Sequence, residues 1–150
     1  MGCNLKKIVG IAGIAAAGLG GAWLVRNRYL FNVCDVTTGE SPHYPELRAH
    51  VYFALAPAAG NAVEAAIRSF PNWRQIAVSE TGTKLQAEVE NPITGFLSDV
   101  FITLVPLGPR HTRVVIRSKS RLCDKAGDLG ENARIIRQLQ AKMDSLLIGG

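Results

Sequence analysis

The chain has 150 residues and a formal net charge of +5 at pH 7, but Lys6, Lys7, Arg26 and Arg28, four of its 17 basic residues, flank one apolar run. From Phe31 onward, 13 Lys and Arg stand against 12 Asp and Glu, so the remainder is near neutral at +1 and offers no basic face for nucleic acid. The residues after the run suffice for one core, so a single globular domain is expected.

The run Ile8 to Val25 holds 18 residues without a charge. As a helix it would be about 27 Å long, enough to cross a bilayer core. Two readings fit: a retained signal anchor, or a cleaved signal peptide with Lys6 and Lys7 as its basic start. The length of the run and the position of Trp23 favour the anchor. The extra positive charge of the amino terminus weakly favours a cytoplasmic N-terminus, with the globular domain outside the cytoplasm, in the periplasm or a lumen. Gly13, Ala17 and Gly21 fall on one helix face, the small-residue spacing through which membrane helices approach one another. Residues 1–30 are thus expected to form a single-pass membrane anchor.

Residues 31–46, rich in turn formers, read as a tether or an ordered loop laid over the domain. Residues 47–150 carry the globular pattern. In "RAHVYFALA", Val51, Phe53 and Leu55 alternate as the inward side of a strand. After Pro57, the spacing of Val63, Ala66, Ile67 and Phe70 predicts a helix ending before Pro71. Four strand-like runs follow, "RQIAVS", "KLQAEVE", "SDVFITLVPL" and "TRVVIRSKS", separated by turn residues as in a meander. Leu85, Ala87 and Val89 alternate cleanly with Lys84, Gln86, Glu88 and Glu90, as in an antiparallel sheet with one face covered and one wet.

The last element is an amphipathic helix. Asp128 can cap its free amides while Glu131 reaches back in a capping box, and Ile135, Ile136, Leu139, Met143, Leu146 and Leu147 form the apolar stripe. The expected fold is α+β: an antiparallel sheet of about five strands with two helices on one face, preceded by the N-terminal transmembrane helix.

Chemistry-bearing residues gather around "RSKSRLCDKAGDLGENARI", Arg117 to Ile135. Strand alternation puts Arg113, Arg117, Lys119 and Arg121 on one face and Ser118 and Ser120 on the other, so Ser118 and Lys119 cannot form a nucleophile pair. A triad of Ser118 or Ser120 with His111 and Asp99 lacks any nucleophile elbow. His43, His50 and His111 have no metal-ligand spacing, and neither a metal nor a cofactor is expected. The arginine row, with Arg117 and Arg121 about 13 Å apart, suits carboxylates or phosphates. Nearly balanced charge favours internal pairing with Asp99, Glu88 or Asp128. Outside the cytoplasm, Cys34 and Cys123 can oxidise together, and closing a loop of that length would contribute about 4 kcal/mol; two free thiols are the alternative.

The ordered trio "SDVFITL", "IRSKSR" and "DLGENARI" resembles the bacterial and chloroplast family known as domain of unknown function 1499, over Tyr44 to Leu147. Matching positions are Asp99, Val100, Phe101, Arg117, Ser118, Ser120, Arg121, Asp128, Leu129, Gly130 and Asn132. Ser98 replaces the first of two acids, the loop from Arg121 to Asp128 is longer, and Cys123 and Arg134 depart from the pattern. The resemblance implies frequent membrane anchoring and no defined activity. Three functions are expected in descending order. The first is a membrane-anchored accessory or assembly protein docking on a larger membrane complex. The second is a binding module for a small anionic or lipid-like ligand on the Arg117 and Arg121 face, and the third is an unrecognised hydrolase.

Overall fold

The computed structural model describes residues 33–123 and 127–148. The apolar run from Ile8 to Val25, with Gly13, Ala17 and Gly21, lies outside the described residues, and none of the described helices is long and apolar enough to cross a membrane. The elements are β1 (Asp35–Thr37), β2 (His50–Tyr52), α1 (Ala56–Ser69), β3 (Trp73–Val78), β4 (Lys84–Glu90), β5 (Leu97–Gly108), β6 (His111–Ser120) and α2 (Glu131–Leu147).

The architecture is α+β, an antiparallel six-stranded sheet with two helices. Strand order is β1-β6-β5-β4-β3, and β2 pairs with the part of β6 that β1 leaves open. The meander β3 to β6 forms where alternating apolar residues and turn formers predict it. Leu85, Ala87 and Val89 of β4, Val100, Ile102 and Leu104 of β5, and Val114 and Ile116 of β6 all point to the covered face. Against them pack Val63, Ala66 and Ile67 of α1 and Ile135, Ile136, Leu139 and Met143 of α2. The two helices touch each other on this one face. The described residues leave the opposite face of the sheet open.

Three expectations change. Residues 33–46 are part of the domain, which raises the strand count to six: β1 lies in this segment, and Val33, Val36 and Tyr44 are buried. The segment is short of apolar periodicity because only three residues of it are strand and the rest is turns. Glu46 pairs with Arg137, and the Gln140 side-chain amide donates to the Arg48 carbonyl, so the loop is also tied to α2. Second, β2 faces the other way. Tyr52 is buried, while Val51, Phe53 and Leu55 are exposed. The pairing of His50, Val51 and Tyr52 with Val114, Arg113 and Thr112 places Val51 beside an outward arginine. A one-residue shift of register inverts every side chain.

The third change concerns α2. Asp128 does accept from its amides, at 2.8 Å from Asn132 N and 2.9 Å from Gly130 N. It acts from outside the helix, across a left-handed turn at Leu129 and Gly130 with φ of 52° and 84°. Glu131 does not reach back; it grips Arg134, one turn on, at 2.7 and 2.8 Å.

The helix stripe itself is graded, with Leu139 fully buried and Leu146 41% exposed. Leu139→Ala is expected to lower the unfolding free energy by about 2–5 kcal/mol, and Leu146→Ala by under about 1 kcal/mol. Urea titration of both variants checks this, and equal losses would contradict the packing of α2.

Candidate functional site

The motif residues meet where β6 hands over to α2. Asn132, in the first turn of α2, is fully buried, and its side chain points back onto the sheet. Its carbonyl oxygen accepts from Ser118 Oγ at 2.6 Å. Its amide nitrogen donates to Ser120 Oγ at 2.9 Å and to the Cys34 carbonyl at 3.0 Å. Ser118 and Ser120 both face inward, and Asn132 satisfies them together, because residues two apart on a strand share a face. A buried amide left without such partners would be strongly unfavourable, so the three-way contact specifies where α2 starts.

Cys34 and Cys123 are bonded, with Cα atoms 5.8 Å apart across a sequence separation of 89. The bond lies beside the Asn132 contact, since the Cys34 carbonyl serves both Asn132 and the backbone amide of Ser120. Asp128 N donates to the Val33 carbonyl at 3.0 Å. The two residues ahead of β1, Val33 and Cys34, thereby fasten it to the joint.

Arg117 and Arg121 face the open side and are engaged there. Arg121 clasps Asp99 through two bonds of 2.9 and 2.7 Å and also reaches Glu88 at 2.7 Å; Arg74 reaches Glu88 from the far side at 2.7 Å. Arg117 clasps Asp35 of β1, with Nε at 2.9 and 3.1 Å from the two carboxylate oxygens. The Arg121 guanidinium holds the Asp99 carboxyl below the usual carboxylate range, and the Asp99 hydrogen bond in turn raises the Arg121 pKa. Arg134 likewise lowers Glu131 through its side-chain hydrogen bonds.

The candidate triad is not assembled. Ser118 is buried in the joint, Asp99 is on the opposite face with Arg121, and His111 sits at the far end of β6 against the Phe53 ring at 5.1 Å. Sequence reasoning passed over a polar cluster joining β2 to α2. Tyr52 donates to Asp144 at 2.7 Å, His50 Nδ1 lies 3.1 Å from the same oxygen, and burial with the Asp144 bond pushes the Tyr52 pKa well up. No local signal marks this cluster, because its partners are over 90 residues apart. Among the described residues, no three His, Cys, Asp or Glu side chains are grouped to hold a metal ion.

A shallow trough of about 930 Å³ lies on the open face. Phe101, Thr103 and Val115 form its floor, the Arg117 and Asp35 pair one wall, and the 40–42 loop and Ala77 to Ser79 its rim.

The chain matches the family described as "Protein of unknown function (DUF1499)" over residues 31–143, and it belongs to that family. No curated protein matches it. The match begins ahead of β1, in accord with β1 being part of the domain.

Two outcomes follow from the joint and the open-face pair. Asn132→Ala should lower stability by about 2–4 kcal/mol by leaving buried polar groups without partners, as read by denaturant unfolding. For Asp99, the folded pKa lies below the unfolded one. The stability it contributes is therefore complete above about pH 4 and is lost as pH falls through the depressed value. Arg121→Gln should flatten the fall in Tm between about pH 5 and pH 2, and superimposable acid profiles would refute the coupling.

Proposed function

We propose that this member of the DUF1499 family is a membrane-anchored accessory or assembly protein. Its α+β domain is presented outside the cytoplasm and docks on a larger membrane complex. The observation that carries this reading is the bond between Cys34 and Cys123. Such bonds persist in oxidising compartments and are rare in reducing ones. Here Cys34 stands only nine residues after the end of the charge-free run Ile8 to Val25. An anchor pulling on the domain would load this end, and a covalent bond is the strongest fastening available there.

The chemistry of the motif adds support. Ser118, Ser120, Asn132 and Asp128 satisfy one another and the backbone, while Arg121 and Arg117 are matched by carboxylates. Residues committed in this way hold a scaffold together. A hydrolase reading loses its candidate serines to the joint. A second reading, binding of a small anionic or lipid-like ligand, moves away from Arg121 and rests on the trough, where Phe101 lies beside the Arg117 and Asp35 pair. A ligand there would have to compete with Asp35 for the guanidinium.

Purification of the full chain from its native membranes in mild detergent should yield a stoichiometric membrane complex that re-forms from purified parts. Cys34 and Cys123 should resist thiol labelling until reduced. A monomer with no reproducible companion would sink the accessory reading.

A further inference from the structure

The chain enters the domain at one end of the sheet, and that end carries an apolar tip. Val33 and Cys34 are held there by Asp128, Ser120 and Cys123, and β1 then runs away from it along β6. The same end holds the β4–β5 loop and the β6–α2 connection. Ile93 in the first is 93% exposed and Phe96 58%; Leu122 and Leu129 in the second are 67% and 65% exposed. Phe96, Leu122 and Leu129 line one depression of about 400 Å³.

These side chains are displayed by built loops. Asn91 Oδ1 accepts from Ile93 N and Thr94 N at 2.9 and 3.0 Å, Asn91 O accepts from Gly95 N at 2.8 Å, and Phe96 O accepts from Asn91 N at 2.8 Å. The loop is closed on itself with Ile93 at its crown. Among the described residues, the charges lining the depression are matched, Glu131 by Arg134 and Asp128 by the amides of Gly130 and Asn132.

We propose that Ile93, Phe96, Leu122 and Leu129 form a bilayer-contacting surface that seats the domain in the interfacial layer of the membrane. The proposal rests on the reading of Ile8 to Val25 as an anchor. From Val25 to Val33, the chain can span at most about 28 Å even when fully extended. Strand β5 alone, with 12 residues, is about 40 Å long. A tether that short keeps the entry end close to the lipid, and the far end, around Leu107, cannot turn toward it without the entry end leaving. The exposed apolar residues at the far end, Phe53, Leu55 and Leu107, are therefore directed away from the membrane. Apolar side chains on a loop crown next to a bilayer partition into the acyl boundary, whereas a water-facing loop gains nothing from them.

The test uses the full chain with Trp23→Phe to remove a tryptophan from the anchor. Ile93→Trp, or Phe96→Trp if that variant misfolds, is compared with Leu107→Trp at the far end. Each protein is reconstituted into phosphatidylcholine vesicles with or without brominated acyl chains. Brominated lipid should quench the tip tryptophan several-fold more than the one at Leu107, and equal quenching overturns the proposal. Vesicle flotation of the same samples separates the two ideas. Protein that floats but shows no tip quenching leaves the anchor standing and removes the lipid contact; a tip shielded only after a partner complex is added does the same. Protein that fails to float removes both.

Discussion

The fold depends on one buried amide. Asn132 is placed by the helix start and reads two serines of β6 and a carbonyl of β1 at the same moment, so helix, central strand and edge strand share a single register. None of these partners can be satisfied if α2 begins one residue earlier or later. The apolar stripe of α2 tolerates sliding better than the amide does, because its contacts are non-directional. The hydrophobic core supplies most of the stabilisation and the amide supplies uniqueness, as buried polar groups do when fully paired. The left-handed turn through Leu129 and Gly130 brings the chain back over the sheet for that contact, and Asp128 bridges the turn to the helix.

The disulfide and the Arg117 clasp reinforce the same edge from opposite faces. Strand β1 is only three residues long, too short to hold by backbone pairing alone. Cys34 fixes it to the connection ahead of α2, and Asp35 fixes it to β6 across the open face. The central strand β6 thus has β1 and β2 sharing one side and β5 on the other. Of its outward residues, Arg117 is held in an ion pair with Asp35, and Val115 lies on the trough floor.

The meander, both helices and the inward residues of β4 to β6 were legible in the sequence because each is a local periodic signal. Where the signal is not local, the reading failed. Strand β1 has three residues and no period of its own; it is a strand because β6 offers an open edge. The inversion of β2 is equally invisible, since Val51, Phe53 and Leu55 alternate as well as His50, Tyr52 and Ala54 do, and only the pairing with β6 chooses between them. Arg121 and its carboxylates were foreseeable from charge balance and strand faces. The partner of Arg117 was not, because Asp35 belongs to the strand that the sequence conceals. Asn132 stood out only as a matched position in the family pattern, and its work became visible once the two serines were seen to face the helix.

Family membership consequently carries over a scaffold more than a site. In this chain the motif positions Ser118, Ser120, Asp128 and Asn132 are spent on the strand-to-helix joint, and Arg121 and Asp99 neutralise each other. A group whose hydrogen bonds are all made internally has little left to offer a substrate, and exchanging those bonds for a ligand would loosen the joint. Specificity in this protein must then come from exposed surfaces outside the joint and the Arg121 and Asp99 pair. These are the trough floor around Phe101, the far end around Phe53 and Leu107, and the tip around Ile93. The tip and the far end lie at opposite ends of β5 and β6, so a domain held by one presents the other. That polarity is set by the point at which Val33 enters the fold.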